Sequence, residues 1–265
     1  MEFLGYFAAL IMGLSLGLIG GGGSILTVPI LVYFFAQDPL VATTGSLFVV
    51  GTTALVGAMT NVRKKLIDFK TGVLFALPSF AGVFVARHFI LPNLPEIIYA
   101  HHGIVLTKAL LVMGAFAILM VLASRAMIRS GSSLATDSKE NPAGLFQIGL
   151  NGFLVGITTG FVGAGGGFLI IPALVILLKL PMKMAVGTSL AIIAANSLFG
   201  FAISASSQPL DWKVLEIITT IGAAGIFAGQ ALSASINEIT LKKGFGYFVL
   251  LVGSLILIDQ LMKLH

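Results

Sequence analysis

Two glycine runs interrupt apolar sequence in this chain: Gly17-Leu-Ile-Gly-Gly-Gly-Gly-Ser24 ahead of Pro29, and Gly160-Phe-Val-Gly-Ala-Gly-Gly-Gly167 ahead of Pro172. In a helix each glycine costs roughly 1 kcal/mol against alanine, so matched clusters inside membrane-like sequence point to broken helices. At a break the backbone N–H and C=O groups lose their partners, which a membrane tolerates only where protein or a water-filled cavity satisfies them. A ligand can do the same. The arm that begins near Gly22 to Ser24 offers N–H groups and the positive end of a helix dipole, and both favour an anion. Gly165 to Gly167 offer a second such end. Breaks of this kind mark the substrate site in membrane carriers. The candidate backbone ligands are therefore Gly20, Gly21, Gly22, Gly23 and Ser24 in the first run, and Gly163, Gly165, Gly166 and Gly167 in the second.

Helix packing is the other use of small residues, and it accounts for the glycines spaced by four in Gly13-x-x-x-Gly17 and Gly152-x-x-x-Gly156-x-x-x-Gly160. Four consecutive glycines exceed what packing requires. Neither run ends in the Gly-Lys-Ser/Thr of a phosphate loop, so a nucleotide site is excluded. Neutral hydrogen-bonding side chains follow each run: Thr43, Thr44, Ser46, Thr52, Thr53 and Asn61 after the first, and Thr188, Ser189, Asn196 and Ser197 after the second. The spacing that separates Gly17 from Gly160 also separates Ser46 from Ser189 and Thr53 from Asn196. These four are the side-chain candidates for holding anionic oxygens; bonding to their own backbone or a neighbouring helix is the competing use.

Most charged residues flank the apolar stretches, whereas a proton pump or cation carrier needs a carboxylate within the membrane. An anion held by helix ends needs none. Arg63 and Arg87 are candidates for steering or gating an anion, with snorkelling to the interface as the alternative. His88, His101, His102 and His265 fall at segment ends or in the 88–108 connection, away from the converging geometry a metal requires. No nucleophile, base and acid occur together. No catalytic residue, cofactor or metal is expected, and the chain does not read as an enzyme.

The elements that must position these residues are set by composition. Of 265 residues, 57% are hydrophobic and 9% charged, with mean hydropathy +1.07, against about a quarter charged in soluble domains. The chain reads as an integral membrane protein. Cysteine is absent, which excludes disulfides and thiolate chemistry. The net charge of +5 comes from dispersed loop residues, which reflects orientation in the bilayer and not nucleic-acid binding. Met1-Glu2-Phe3 lacks the basic start of a signal peptide, so the first segment is expected to be retained.

Charged residues bound eight uncharged stretches: 3–37, 39–62, 71–86, 109–124, 141–178, 184–210, 217–237 and 244–258. The first would be about 50 Å long as one helix, well beyond a hydrocarbon core of about 30 Å. It is therefore expected to be two half-helices, Phe3 to Leu16 and Ser24 to Phe35, and the stretch 141–178 divides likewise.

Sliding the chain against itself until Gly17 meets Gly160 also pairs Pro29 with Pro172, Gly57 with Gly200, Asp68-Phe-Lys70 with Asp211-Trp-Lys213, and Ala81-Gly82-Val-Phe84 with Ala224-Gly225-Ile-Phe227. Low-complexity apolar sequence does not produce the shared Asp-aromatic-Lys loop. The expected architecture is an all-α integral membrane protein of about eight membrane segments. A first repeat (1–124) and a second (145–265) are joined by a polar linker (125–144), and the first helix of each repeat is broken at its glycine run. If the arms continue through the membrane the repeats are parallel; if they fold back, the repeats are inverted. Both models place Arg63, Lys64, Lys65, Lys70, Arg125, Arg129 and Lys139 on one side. The inverted model adds Lys179, Lys183, Lys242 and Lys243, making 11 of the 15 basic residues; the parallel one adds only Lys213 and Lys263, making 9. The positive-inside bias favours inversion.

The glycine-rich break followed by proline, present as Gly20 to Pro29 and Gly163 to Pro172, resembles the sulfite exporter TauE/SafE family, also called the toluene sulfonate uptake permease family. The duplicated four-segment halves and the length strengthen the likeness, which covers about residues 5–260. The resemblance implies a multi-pass bacterial or archaeal inner-membrane carrier of sulfite, thiosulfate or organosulfonates, working without ATP. It assigns the site role to Gly20 to Ser24 and Gly163 to Gly167, with Ala164 standing where the first run has Gly21. The expected function is secondary transport, the anion being held between the two breaks and exchanged by alternating access, with a coupled proton, a sodium ion or neither. A passive anion channel, and a membrane enzyme or assembly subunit, are the alternatives.

Overall fold

The computed structural model describes residues 2–101, 104–129, 145–163, 166–178, 180–233 and 238–262; Gly165 and most of the linker lie outside them. Helix α1 spans Glu2–Ile19, about 27 Å at 1.5 Å per residue, so it is close to a full span and not the half-helix ending at Leu16 that the glycine run suggested. The reason is local. The backbone carbonyl of Ile226 occupies the space beside Gly17, so this glycine serves packing, and the helix breaks only at Gly20, where φ is +84°.

A short arm, α2 (22–34), follows as a 3-10 turn, Gly22–Leu26, one α turn, Thr27–Pro29, and a π turn, Ile30–Phe34. It folds back along α1. Gly23 lies against Met12 and Ser15, while at the far end the Phe35 ring reaches Gly5 and sits 5.2 Å from that of Tyr6. The second arm, α7 (167–177), also changes to π winding directly after its proline. Such adjustments re-satisfy the carbonyls that a proline's missing N–H leaves free.

Between the arms run α3 (Pro39–Arg63), α4 (Phe69–Asn93), α5 (Lys108–Arg129) and α6 (Leu145–Val162). After α7 come α8 (Met182–Ser204), α9 (Trp212–Leu232) and α10 (Glu238–Met262). Asp38, Asp68 and Asp211 cap α3, α4 and α9, their carboxylates accepting from the amides of Leu40, Thr71 and Val214. Among the described residues, four helices (in α3, α4, α8 and α9) are long and apolar enough to cross a membrane, and shorter apolar helices account for α1, α2, α5, α6 and α10. One element lay outside the sequence reading: a hairpin of β1 (Ile97–His101) and β2 (Ile104–Thr107) in the 88–108 connection.

Helices from the two ends of the chain interlock. α1 packs along α9, α6 along α4, α3 on α8 and α5 on α10. The first two contacts run in parallel and use glycine for close approach. Gly13 lies on the Gly222 carbonyl and Gly17 on that of Ile226; Gly156 lies on the Ser79 carbonyl and Gly160 against Val83. The offset that carries Gly17 onto Gly160 relates each contact of the second pair to one of the first. α3 and α8 are antiparallel, with Gly51 against Leu198, Gly57 against Leu190 and Gly187 against Leu66.

These directions sort the charges. Arg63, Lys64, Lys65, Lys70, Arg125, Arg129 and Lys183, with the start of α10 at Lys242 and Lys243, lie at one end of the bundle, and Arg87, Lys108 and Lys213 lie at the hairpin end. Leu16, Val50, Phe75, Ile170, Leu190 and Ile226 form part of the buried core. Phe7, Met59, Leu77, Phe227 and Leu251 stand exposed around the outside, the inverse of a water-soluble surface and suited to lipid.

Candidate functional site

The two breaks are built alike. Gly20 has φ +84° and Gly163 +77°, a left-handed conformation open to glycine and rarely to other residues. Val186 occupies the space beside Gly20, and Thr43 the space beside Gly163. The Ser189 hydroxyl lies 3.3 Å from the Gly20 carbonyl and 2.8 Å from that of Val186. Correspondingly, the Ser46 hydroxyl lies 2.5 Å from the Gly163 carbonyl and 2.9 Å from that of Thr43. Each serine thus shares its proton between its own helix and the break supplied by the distant part of the chain. The runs also touch: a side chain at Gly21 would collide with the backbone of Gly167, and one at Gly167 with Gly21.

The structure therefore brings Gly20, Gly21, Gly163, Gly167, Ser46 and Ser189 into one connected centre. Ser24 donates to the Gly21 carbonyl at 2.8 Å. Gly22 opens the 3-10 turn, Gly23 abuts α1, and Gly166, with φ +66°, lies beside the Thr159 hydroxyl. Thr53 stands apart, its hydroxyl donating to Val49 and Val50 of its own helix at 2.6 and 3.1 Å. Asn196 donates from Nδ2 to the Ser79 hydroxyl oxygen at 2.6 Å, a partner that the sequence did not single out. Its Oδ1, like Ser197 Oγ and Thr27 Oγ1, has no partner among the described residues. Ser24, Ser46, Thr53, Ser189 and Asn196 are all fully buried, so the centre is closed in this conformation.

Arg63 and Arg87 are at opposite ends. Arg63 is exposed at the last turn of α3. Arg87 does not snorkel: it is 6% exposed, in the π turn Val85–Ile90 late in α4. Its Nη1 donates to Thr44 Oγ1 at 3.0 Å and its Nη2 to the Thr43 carbonyl at 3.3 Å. Sequence reasoning did not single out Lys108, which the hairpin sets near Arg87; as a charge at the edge of an apolar stretch it served only as a boundary. A larger cavity of about 240 Å³ between α4 and α8 is lined by Ile67, Val73, Leu77, Phe80 and Ile192 and has no means of holding an anion.

Long apolar helices packed around two broken arms, with an apolar exterior, define a helical multi-pass membrane protein. The chain belongs to the sulfite exporter TauE/SafE family, whose model matches residues 5–256. It is 29% identical over 250 residues to a "Probable membrane transporter protein" of Xylella fastidiosa (strain 9a5c), covering 91% of this chain and 89% of that one. To the "Probable membrane transporter protein YunE" of Bacillus subtilis (strain 168) it is 30% identical over 241 residues, with 86% of each covered. No solved structure matches the chain. Family and relatives alike indicate a membrane transporter and not an enzyme.

Proposed function

We propose that the protein is a secondary transporter of small sulfur-containing anions such as sulfite, thiosulfate or organosulfonates, in a bacterial or archaeal inner membrane. The anion is held between the two glycine breaks and exchanged by alternating access. The observation that carries this reading is the reciprocal centre, in which Ser46 reaches the Gly163 carbonyl and Ser189 the Gly20 carbonyl while Gly21 and Gly167 abut.

In this reading 1–124 and 145–265 are inverted repeats joined by 125–144. Support comes from the contacts repeated at the offset between Gly17 and Gly160, the fold-back of α2 on α1, and the antiparallel crossing of the equivalent helices α3 and α8. The end rich in lysine and arginine is then cytoplasmic.

The closed centre corresponds to an occluded state. Opening separates the runs, releases the serine hydroxyls from the glycine carbonyls and turns them, with the amides of the arms, towards an anion. Binding by neutral donors and helix dipoles holds a small oxyanion without a buried cation to trap it.

The test is flux in proteoliposomes. Sulfite, thiosulfate or an organosulfonate is expected to move with saturable kinetics, and imposed proton and sodium gradients show which ion, if either, is coupled. Gly22→Leu and Gly166→Leu are expected to abolish flux, and Ser46→Ala to reduce it with the protein still folded. The proposal fails if none of these anions moves or if the glycine variants transport normally, and non-saturating flux would make the protein a channel.

A further inference from the structure

The hairpin end of the bundle holds a cavity of about 170 Å³ whose lining includes no residue of either glycine run. This is about six times the volume of a water molecule in the liquid. It lies where the start of α3, the end of α4, the start of α5 and the end of α8 converge, and its polar lining is Thr43, Thr44, Arg87, Lys108, Ser204 and Gln208. Two of these six are cations and none is a carboxylate.

Arg87 is the informative member. Its guanidinium carries five N–H donors, yet among the described residues it bonds only to Thr44 and Thr43, and Nε has no partner there. No described carboxylate forms an ion pair with it. A buried cation without a counter-charge is strongly disfavoured, and the cavity beside it is where a compensating anion would fit. Lys108 adds the second charge. Its side chain is 12% exposed, and its partner, Glu96 at 3.8 Å, is 82% exposed, a geometry in which ion pairs contribute little. The hairpin places it: the Lys108 amide donates to the Glu96 carbonyl at 2.9 Å where the two strands close. As the first residue of α5, Lys108 also stands at the positive end of a helix dipole.

We propose that this cavity is an anion-capture site, taking a small oxyanion or sulfonate headgroup on the Arg87 fork and the Lys108 ammonium, with Ser204 and Gln208 as further donors. A planar fork matches two oxygens of such a group, and an ammonium serves as a point charge. The site is wired to the second break. The Thr43 carbonyl accepts from both Arg87 Nη2 and the Ser46 hydroxyl, and that hydroxyl also reaches the Gly163 carbonyl. An anion that draws Arg87 towards itself therefore acts one contact away from the serine holding the break. At the offset that relates the two glycine runs, the counterpart of Arg87 is Gln230, which is neutral, donates to the Gly57 carbonyl at 3.0 Å and accepts from Thr60. Capture is thus built at one end only. Binding here stands independently of the transport reading; its role as the entry to a transport path rests on that reading.

The test measures binding of sulfate, sulfite and methanesulfonate to the full chain in neutral detergent by titration calorimetry, with folding followed by thermal unfolding. One saturable site is expected, weakened by added chloride. Arg87→Gln, which installs the residue found at position 230, is expected to weaken it by about tenfold or more. Arg87→Lys and Lys108→Gln are expected to weaken it by smaller factors, and they decide the matter if Arg87→Gln does not fold. In proteoliposomes, Arg87→Gln is expected to raise KM for anion presented at the hairpin end by a larger factor than it lowers maximal flux, as loss of a binding contact does. The proposal is overturned if the wild type binds none of the three anions, if all the variants bind like the wild type, or if phosphatidylglycerol occupies the site and the soluble anions do not. Binding without flux would leave this site standing and remove the transport reading; flux and binding indifferent to Arg87 would do the reverse.

Discussion

Arg87 and Gln230 are counterparts at the offset that carries Gly17 onto Gly160, on helices that pack alike, and their surroundings are opposite. Gln230 is satisfied on both sides by Gly57 and Thr60, whereas Arg87 Nε has no partner among the described residues and the side chain lines a cavity that Lys108 also lines. The helix contacts around them show no such divergence: Gly13 meets Gly222 as Gly156 meets Ser79, and Gly20 and Gly163 share a left-handed backbone. Two backbones in contact admit only small residues, so packing holds both contacts to one pattern. A position at the mouth of the bundle has solvent or a ligand as neighbour, and its chemistry is free to differ.

The largest effects are expected where the contacts agree. Gly13→Val and Gly156→Val each drive a side chain into the facing backbone carbonyl, and both should prevent recovery of folded protein, as overpacking without room to relax costs several kcal/mol. Gly149→Ala, at a position with nothing within 4 Å, should instead stabilise the protein by up to about 1 kcal/mol of helix propensity, read as a higher unfolding temperature in detergent. Normal folding of just one of the two valine variants would show that the contacts are not equivalent.

An intermediate effect separates the serines. Ser46 approaches the Gly163 carbonyl at 2.5 Å and Ser189 the Gly20 carbonyl at 3.3 Å. Ser46→Ala is expected to cost roughly 1–3 kcal/mol for a buried acceptor left unmet, and Ser189→Ala less. Equal losses in thermal unfolding would remove the difference between the breaks.

The smallest effect is at the caps. The Asp68 carboxylate accepts from both the hydroxyl and the amide of Thr71 at 2.7 and 3.2 Å, and these bonds hold its carboxyl below the usual range. Among the described residues, Asp211 caps through the Val214 amide alone. Asp68→Ala is expected to cost about 1 kcal/mol, more than Asp211→Ala. Because the folded pKa of Asp68 is the lower one, its contribution is complete above the unfolded value of about 3.9 and is lost as the pH falls through the folded one. An acid titration of stability that is the same in wild type and Asp68→Asn would contradict this.

Much of the fold was legible because membrane insertion imposes coarse rules. The uncharged stretches 39–62 and 184–210 became α3 and α8 within a few residues at most boundaries, since a helix that buries no charge must end near where charges resume. Gly17 misled the reading of α1: a glycine that breaks a helix and one that packs it are the same letter, and only the carbonyl of Ile226 beside it distinguishes them. Thr53 and Ser46 looked equivalent as donors, but Thr53 turns to its own helix and Ser46 reaches across to Gly163. The pairing of Ser46 with Ser189 was readable from the offset; their carbonyl partners were not.

The amino-acid sequence by itself determined that this is a membrane protein, that glycine runs interrupt two of its helices, and that a constant offset relates the surroundings of those runs. These follow from composition and order, because hydropathy and the cost of glycine act locally along the chain. Only the tertiary structure decided that the first arm folds back, that the two runs meet, and that Arg87 is buried beside Lys108 at the mouth of the bundle. Those facts depend on which helices become neighbours, and residues brought together from α3, α4, α5 and α8 acquire a shared electrostatic field that none of them has along the chain.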